Sequence, residues 1–360
     1  MKKVIIILLA TVLVLGLAGC NRTPSQAQAR QDDTISVVLM LGGNLGDLSF
    51  NDSAQRGIIR AREELGVRTR TIEHNSDPAR WEPSFLEVSD EGHDIIIASN
   101  NFREFMERYA DDYPDTVYIM YDSPIDWSLG KLSNVNNIIY KQNEGSFLGG
   151  YLLANMTQTG TIGFLGGMDM PVINDFLIGY IEGALHANPN IKIITTYSNT
   201  FADSARGKEL ALAMINQGAD YSFNVAGGTG IGLIEAAVER GTKVLGVDSD
   251  QALMYQERGR LDFAEAIVSS MLKNVDFSLF RAINNFKNGT LVLGRAEFLG
   301  IAEGGTGLAD NPYFRAQVPA DIINNINALQ QRIVSGQITI GSALDMPVDE
   351  VIAFRNSVRP

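Results

Sequence analysis

The feature that most constrains the fold is a regular alternation of short apolar runs with amphipathic segments from residue 35 onward. Residues 35–41 are rich in β-branched side chains and end in two glycines, which is typical of a buried parallel strand. Ser49 with Asp52 predicts a helix start of the capping-box kind, and Gly66 predicts its end. The pattern then predicts strands at 67–73, 94–99 and 116–121 and helices at 80–91 and 103–113.

The alternation restarts at residue 160, and the second run echoes the first. It predicts strands at 160–165, 192–197, 221–226 and 243–247 and helices at 172–186, 204–217 and 231–240. Leu41 and Leu165 each precede a pair of glycines after the first strand of a run, and Asp122 and Asp248 each follow the fourth strand. Alternating strands and helices form right-handed βαβ units, so the sequence predicts an α/β fold with two lobes of one topology and parallel sheets.

Loops after the strands carry the candidate ligand-binding residues. In open parallel sheets ligands bind at the carboxyl ends of the strands, so two facing edges would form one cleft that closes about a hinge. Phe50 opens the first helix and Phe201 follows the second strand of the second run, and each either packs in the core or stacks on a planar ligand. Asn51 offers donors and an acceptor to the edge of a ring.

Charged residues and a glycine-rich turn complete this candidate set. A carboxylate at Asp122 or Asp248 suits a vicinal diol or a ring N–H, although aspartate is also common in turns and helix caps. The turn around Gly228 matches no phosphate-loop motif, and we interpret it as a close approach of backbone to ligand. Lys273 is a lone cation in an apolar stretch, and is either a solvated lysine or a hydroxyl donor in the cleft.

The N-terminal segment predicts export and a lipid anchor. Two lysines precede the apolar run 4–16, which is too short for a comfortable membrane span. Leu17-Ala18-Gly19-Cys20 resembles a bacterial lipobox, which makes residues 1–19 a signal peptide and Cys20 the site of lipidation, for example by palmitate. The alternative is an ordinary signal peptide with an incidental cysteine. The polar residues 20–34 are predicted to tether the protein to the cell membrane on its extracytoplasmic side.

Composition argues against several classes of function. The net charge of −13, from 29 basic and 42 acidic residues, would repel a nucleic acid. One cysteine and three histidines leave no internal disulfide, no Cys-based zinc site and little room for His-centred catalysis. No G-x-S-x-G, H-E-x-x-H or Walker motif occurs. These absences remove the positive case for an enzyme, and we expect a protein that is not an enzyme and has no cofactor or metal. We also expect it to be a monomer.

Six motifs, in a common order, resemble the basic membrane protein family of bacterial lipoproteins, the purine-nucleoside-receptor-like substrate-binding proteins of ABC transporters. These motifs are Asp47-Leu48-Ser49-Phe50-Asn51, the segment 144–151, the segment 163–171, the segment 207–211, the segment 246–251 and Ser270-Met271-Leu272-Lys273. The resemblance implies a type I periplasmic-binding fold of two Rossmann-like lobes joined by a hinge. The implied lobes are 35–141 with about 268–292, and 142–267 with about 293–360.

The same resemblance implies that a purine nucleoside occupies the cleft and passes to ABC permease and ATPase subunits. The implied contacts are base stacking by Phe50 and Phe201, base-edge recognition by Asn51 and Asp122, and ribose binding by Gly228, Asp248 and Lys273. The chain departs from the family at Leu41 and Leu48, where Asp and Lys are usual, and Ser99-Asn100-Asn101 resembles the riboflavin-binding branch. A riboflavin receptor, an envelope nucleoside hydrolase and a ligand sensor are the alternatives.

Overall fold

The computed structural model describes residues 34–360. The predicted signal peptide, Cys20 and all but the last residue of the predicted tether lie outside the described residues. Between residues 34 and 360, every helix is too short or too polar to cross a membrane.

Strands in this range form two sheets of six strands each. The first sheet contains β1 (Ser36–Leu41), β2 (Arg68–Glu73), β3 (Ile95–Ala98), β4 (Val117–Tyr121), β5 (Val135–Tyr140) and β11 (Arg295–Leu299), in the order β11-β5-β4-β3-β1-β2. The second contains β6 (Thr161–Gly166), β7 (Lys192–Tyr197), β8 (Tyr221–Val225), β9 (Lys243–Asp248), β10 (Ile267–Lys273) and β12 (Thr306–Leu308), in the order β12-β10-β9-β8-β6-β7. Apart from the antiparallel pair β10–β12, the strand pairs of residues 34–360 are parallel. The predicted α/β fold with two parallel sheets is confirmed.

Helices alternate with the strands and cover both sheets. They are α1 (Phe50–Leu65), α2 (Trp81–Asp90), α3 (Arg103–Tyr109), α4 (Gln142–Met156), α5 (Pro171–Ala187), α6 (Ser204–Asn216), α7 (Gly230–Arg240), α8 (Gln251–Glu257), α9 (Leu261–Ala266), α10 (Val275–Lys287), α11 (Pro312–Gln317), α12 (Ala320–Val334) and α13 (Val348–Ser357). Each sheet, with the helices packed on it, is termed a lobe below. The interior strand β1 is buried at every position, as expected for a parallel strand covered on both faces.

The chain crosses between the two lobes at three neighbouring places. Lys141 connects β5 to α4, Asn274 connects β10 to α10, and residues 300–305 connect β11 to β12. The crossings hydrogen-bond to one another, since Lys141 N donates to Leu299 O at 3.0 Å and Asn274 N donates to Gly305 O at 2.9 Å. Three short parallel connections of this kind form a hinge.

Two strands near the hinge belong to the opposite lobe from the one predicted. Strand β10 falls in the range assigned to the first lobe, but it pairs with β9 in the second sheet. Strand β11 falls in the range assigned to the second lobe, but it pairs with β5 in the first sheet. The apolar pattern of a strand does not specify which sheet it joins, and the other predicted lobe boundaries stay predictions.

The start of α1 also differs from its prediction. The Ser49 side chain forms no cap; instead the Asp47 carboxylate accepts from the backbone N–H groups of Ser49, Asn51 and Asp52 at 3.0, 2.8 and 3.1 Å. An aspartate in this place satisfies the free N–H groups of the first turn as well as a serine would. The Ser49 hydroxyl is therefore available for a contact with the other lobe.

Candidate ligand-binding site

A cleft of about 800 Å³ lies between the carboxyl ends of the two sheets. Its volume falls in the range of about 300–1,000 Å³ that is usual for small-molecule sites. Six of the seven predicted ligand-binding residues line it: Phe50, Asn51, Asp122, Phe201, Asp248 and Lys273. The seventh predicted residue, Gly228, does not line the cleft, but its neighbour Gly227 does. Gly228 packs against the backbone of Phe201, since an ideal Cβ at Gly228 would lie only 3.1 Å from the carbonyl oxygen of Phe201. The structure thus brings residues from both lobes to one cavity.

The floor of the cleft is a buried charge cluster built from both sheets. The Lys273 ammonium, on a side chain that is 3% exposed, donates to both carboxylate oxygens of Asp122 at 2.9 Å. The same ammonium lies 3.8 Å from Oδ1 of Asp248. Asp122 and Asp248 share a left-handed backbone conformation, with φ of 63° and 62°, which aspartate tolerates better than most residues. The sequence similarity between the two series of strands and helices therefore places Asp122 and Asp248 at equivalent positions at the edges of the two sheets.

One oxygen of this cluster lacks a hydrogen-bond donor. The Ser49 hydroxyl donates to Oδ2 of Asp248, whereas the buried Oδ1 of Asp248 has no hydrogen-bond partner among the described residues. Burial raises the pKa of Asp122 and of Asp248, and the Lys273 ammonium opposes both shifts. A buried acceptor without a partner costs free energy, so a ligand hydroxyl that donated to Oδ1 would be stabilised there.

Aromatic rings form the walls beside the charge cluster. Phe50 stacks on Tyr121 with ring centroids 5.2 Å apart and an angle of 25° between the planes. The Lys273 ammonium lies 4.8 Å from the ring centroids of both Phe50 and Phe176, a distance at which cation–π attraction holds it in place. Phe50 thus combines the two roles that its sequence position allows, because it packs on the core and also faces the cleft.

Phe201 reaches the cleft from the second lobe and is 40% exposed. Its ring rests directly on the backbone of Gly167, since a Cβ at that glycine would lie 2.1 Å from Cε1 of the ring. Gly167, which directly follows β6, therefore lets the Phe201 ring lie against the backbone. The exposed Phe201 ring offers apolar surface to an incoming ligand.

Several lining residues were not predicted. Trp81, Arg103 and Asn101 extend the first-lobe wall beyond Asn51, and the Asn101 side chain covers Gly42, whose ideal Cβ would lie 2.2 Å from it. Phe176 lies on α5 in the second lobe, where its spacing matches ordinary helical core packing. Across residues 34–360 no group of three or more His, Cys, Asp or Glu side chains has an arrangement suited to a metal ion.

The N-terminal part of α5 is held in place by a buried carboxylate. Asp175 Oδ1 accepts from the Ser342 hydroxyl at 2.7 Å and from Ala343 N at 2.9 Å, which ties the segment after α12 to the helix that carries Phe176. Burial raises the pKa of Asp175 to about 7, and these hydrogen bonds oppose the shift. The folded protein therefore retains a proton on Asp175 over a pH range in which the unfolded chain has lost it.

This difference predicts a pH-dependent contribution to stability. Between about pH 4 and pH 7 the free energy of unfolding should fall as pH rises, by on the order of 3–4 kcal/mol from this group alone. Asp175→Asn keeps an acceptor for Ser342 and Ala343 but cannot ionise. Urea unfolding at pH 5, 6, 7 and 8 should show the variant gaining stability relative to the native protein as pH rises.

Asp126→Asn is the control. Asp126 is exposed, and hydrogen bonds from Ser128 lower its pKa, so it is ionised in both states across pH 5–8. Its stability difference from the native protein should not change with pH in that range. A pH-independent difference for Asp175→Asn as well would contradict the assignment.

Comparison with known proteins agrees with this architecture. Residues 34–343 match the family described as Bmp, the PnrA-like ABC transporter substrate-binding proteins. The chain is 31% identical over 346 residues to basic membrane protein A of Borreliella burgdorferi, covering 95% of this chain and 96% of that protein.

Solved structures show the same fold. An ABC transporter solute-binding protein from Aeropyrum pernix is 28% identical and has a TM-score of 0.77, covering 90% of this chain and 99% of that one. A second, from Conexibacter woesei, is 20% identical with a TM-score of 0.69, covering 86% and 99%, and supports the fold alone. The predicted type I periplasmic-binding fold is confirmed. The chain belongs to the Bmp family of PnrA-like substrate-binding proteins of ABC transporters.

Proposed function

We propose that this substrate-binding protein captures a purine nucleoside in its cleft and delivers it to ABC permease and ATPase subunits. The observation that carries the proposal is Oδ1 of Asp248, which has no hydrogen-bond partner within residues 34–360, lies beside the Lys273 ammonium and shares the cleft with Phe50 and Phe201. A ribose hydroxyl would donate to the free oxygen, and a flat base would pack against the rings.

The base edge would be read by groups of the first lobe. Asn51 lines the cleft next to Phe50, and its Nδ2 donates to Asn44 O at 3.0 Å, which leaves its Oδ1 to accept from a ring N–H or exocyclic amine. Asp122, for which the family resemblance implies a contact with the base edge, accepts from Lys273 with both of its oxygens. It would instead hold the ammonium so that one N–H can turn toward a ribose oxygen. Gly228 would contribute backbone beside Phe201.

Riboflavin is the second candidate, and one observation favours it. The first-lobe wall continues past Asn51 to Asn101 and Trp81, and the indole Nε1 of Trp81 is buried without a partner among the described residues. A ring system longer than a purine would reach this part of the cleft, and its ribityl hydroxyls would meet the same Asp248.

The location and assembly proposed for the protein follow from its sequence. Lipidation at Cys20 would anchor a monomer on the extracytoplasmic side of the cell membrane, where the polar residues 20–34 would allow it to reach its permease. The protein would act by binding alone and would leave its ligand chemically unchanged.

A thermal-shift screen with inosine, guanosine, adenosine, uridine and riboflavin tests the proposal. A ligand at 100 times its Kd adds about 2.7 kcal/mol to the free energy of unfolding, which should raise Tm by about 4 °C. We expect the largest shift with a purine nucleoside, and a larger one with riboflavin would select the second candidate. Unchanged Tm with all five compounds would refute both. Chromatography of inosine after incubation with the protein should show no free hypoxanthine; release of the base would indicate a hydrolase.

A further inference from the structure

The two lobes share a buried contact that belongs neither to the hinge nor to the charge cluster. Leu48 follows β1 in the first lobe, yet its side chain is 3% exposed and packs in a hydrophobic cluster whose other buried members all come from the second lobe, among them Leu165, Leu233 and Ala252. Its backbone is left-handed, with φ of 54°. A leucine stays in that conformation only where its surroundings hold it there.

Polar contacts secure the same junction. Gln251, which is 1% exposed, donates from Nε2 to Leu48 O at 3.1 Å, and its Oε1 accepts from Val247 N at 3.2 Å. Beside it, Arg56 Nη2 of the first lobe donates to Ser249 Oγ of the second at 2.7 Å. The junction is therefore both apolar and hydrogen-bonded, and its polar second-lobe partners, Ser249 and Gln251, directly follow β9, which ends at Asp248.

We propose that Leu48 and Gln251 are positioning residues that hold the two walls of the cleft together in the absence of ligand. Leu48 is two residues from Phe50, and Gln251 is three residues from Asp248, so this junction fixes the separation of the ring and the carboxylate. Because the lobes are already together, little of the binding free energy of a ligand is needed to close the cleft. Without the junction, the apparent affinity would fall in proportion to the fraction of molecules that remain closed.

Closure can be measured without any ligand, which separates this proposal from the proposed function. Spin labels would be placed on the full chain carrying Cys20→Ser, through Leu129→Cys in the first lobe and Leu261→Cys in the second; these side chains are 62% and 54% exposed. Electron–electron double resonance should give one narrow distance distribution for the otherwise native ligand-free protein. Leu48→Ala should add a second population, with at least about a tenfold rise in the open-to-closed ratio.

Leu329→Ala is the matched control, because Leu329 is a buried leucine of the second lobe in a hydrophobic cluster that does not contain Leu48. It should lower stability but leave the distance distribution narrow. Gln251→Met keeps the side-chain volume and removes the donor to Leu48 O, so it should open the cleft even if Leu48→Ala does not fold. The proposal would be overturned by a ligand-free native protein that shows only the longer distance of the open form, or a distribution as broad as that of the Leu48→Ala variant, and also by equal opening in Leu329→Ala. If the distances show a closed cleft but neither inosine nor riboflavin binds, the proposed function is contradicted while the proposed role of Leu48 and Gln251 is supported.

Discussion

Replacing Asp248 by asparagine is expected to weaken binding of a purine ribonucleoside by about ten- to a hundredfold. A hydrogen bond to a charged group contributes about 1.5–3 kcal/mol, and each 1.4 kcal/mol corresponds to a factor of ten in Kd. The substitution keeps the shape of the side chain and an oxygen for the Ser49 hydroxyl, but it removes the charge at 3.8 Å from Lys273. Isothermal titration calorimetry with inosine measures the effect.

Asp250→Asn is the control for Asp248→Asn. Asp250 caps α8 by accepting from Leu253 N at 3.2 Å and accepts from Asn311 Nδ2, and it does not line the cleft. Its replacement should affect stability more than affinity.

A second ligand tests the same contact. 2′-Deoxyinosine should bind the native protein more weakly than inosine, and Asp248→Asn should reduce that difference in affinity. If inosine bound the variant with native affinity, Asp248 would not be the ribose ligand.

Gly183→Ala is expected to destabilise the protein by about 2 kcal/mol or more. Helices α4 and α5 pack with their backbones in contact, and a Cβ at Gly183 would lie 1.9 Å from the carbonyl oxygen of Phe147. Backbone atoms cannot rotate away as a side chain can, so the helices would have to separate. Overpacking of this kind costs about 1–3 kcal/mol or more and exceeds the roughly 1 kcal/mol that alanine gains over glycine in a helix.

Urea unfolding monitored by circular dichroism measures this loss, and Gly307→Ala is its control. Gly307 is in β12, where an ideal Cβ meets no other atom within 4 Å among residues 34–360. That variant should stay within about 0.5 kcal/mol of the native protein. Similar midpoints for Gly183→Ala and Gly307→Ala would show that α4 and α5 can move apart without cost.

The regular elements of 35–121 and 160–247 could be predicted because their apolar periods are clean. Strand β5 could not be predicted because Asn136 and Asn137 interrupt its run of apolar residues, although both side chains are buried. The Asn137 amide donates to Met120 O and Ser123 O at 3.3 and 2.8 Å, and therefore supports the loop that presents Asp122. Helix α4 could not be predicted because it contains three poor helix formers, Gly145, Gly149 and Gly150. These glycines allow neighbouring elements to pack closely against the helix.

The candidate site was predictable where it depends on loops after strands and not where it depends on packing between lobes. Asp122 and Asp248 follow matched strands, so their placement at the facing edges could be inferred from topology. The contacts of Leu48 could not be inferred from topology, since an apolar side chain in a loop gives no indication of the hydrophobic cluster in which it packs. Phe176 looks in sequence like any core residue of a helix, and only the structure shows that it faces Lys273.

Lys273 is the last residue of β10, and the next residue is one of the three crossings. A solute hydroxyl that draws an N–H away from Asp122 therefore alters a contact at the pivot itself, one peptide bond from the connection about which the lobes turn. A ligand in the cleft would therefore act on the hinge through this one ammonium group, even while the contact of Leu48 with the second lobe keeps the lobes together.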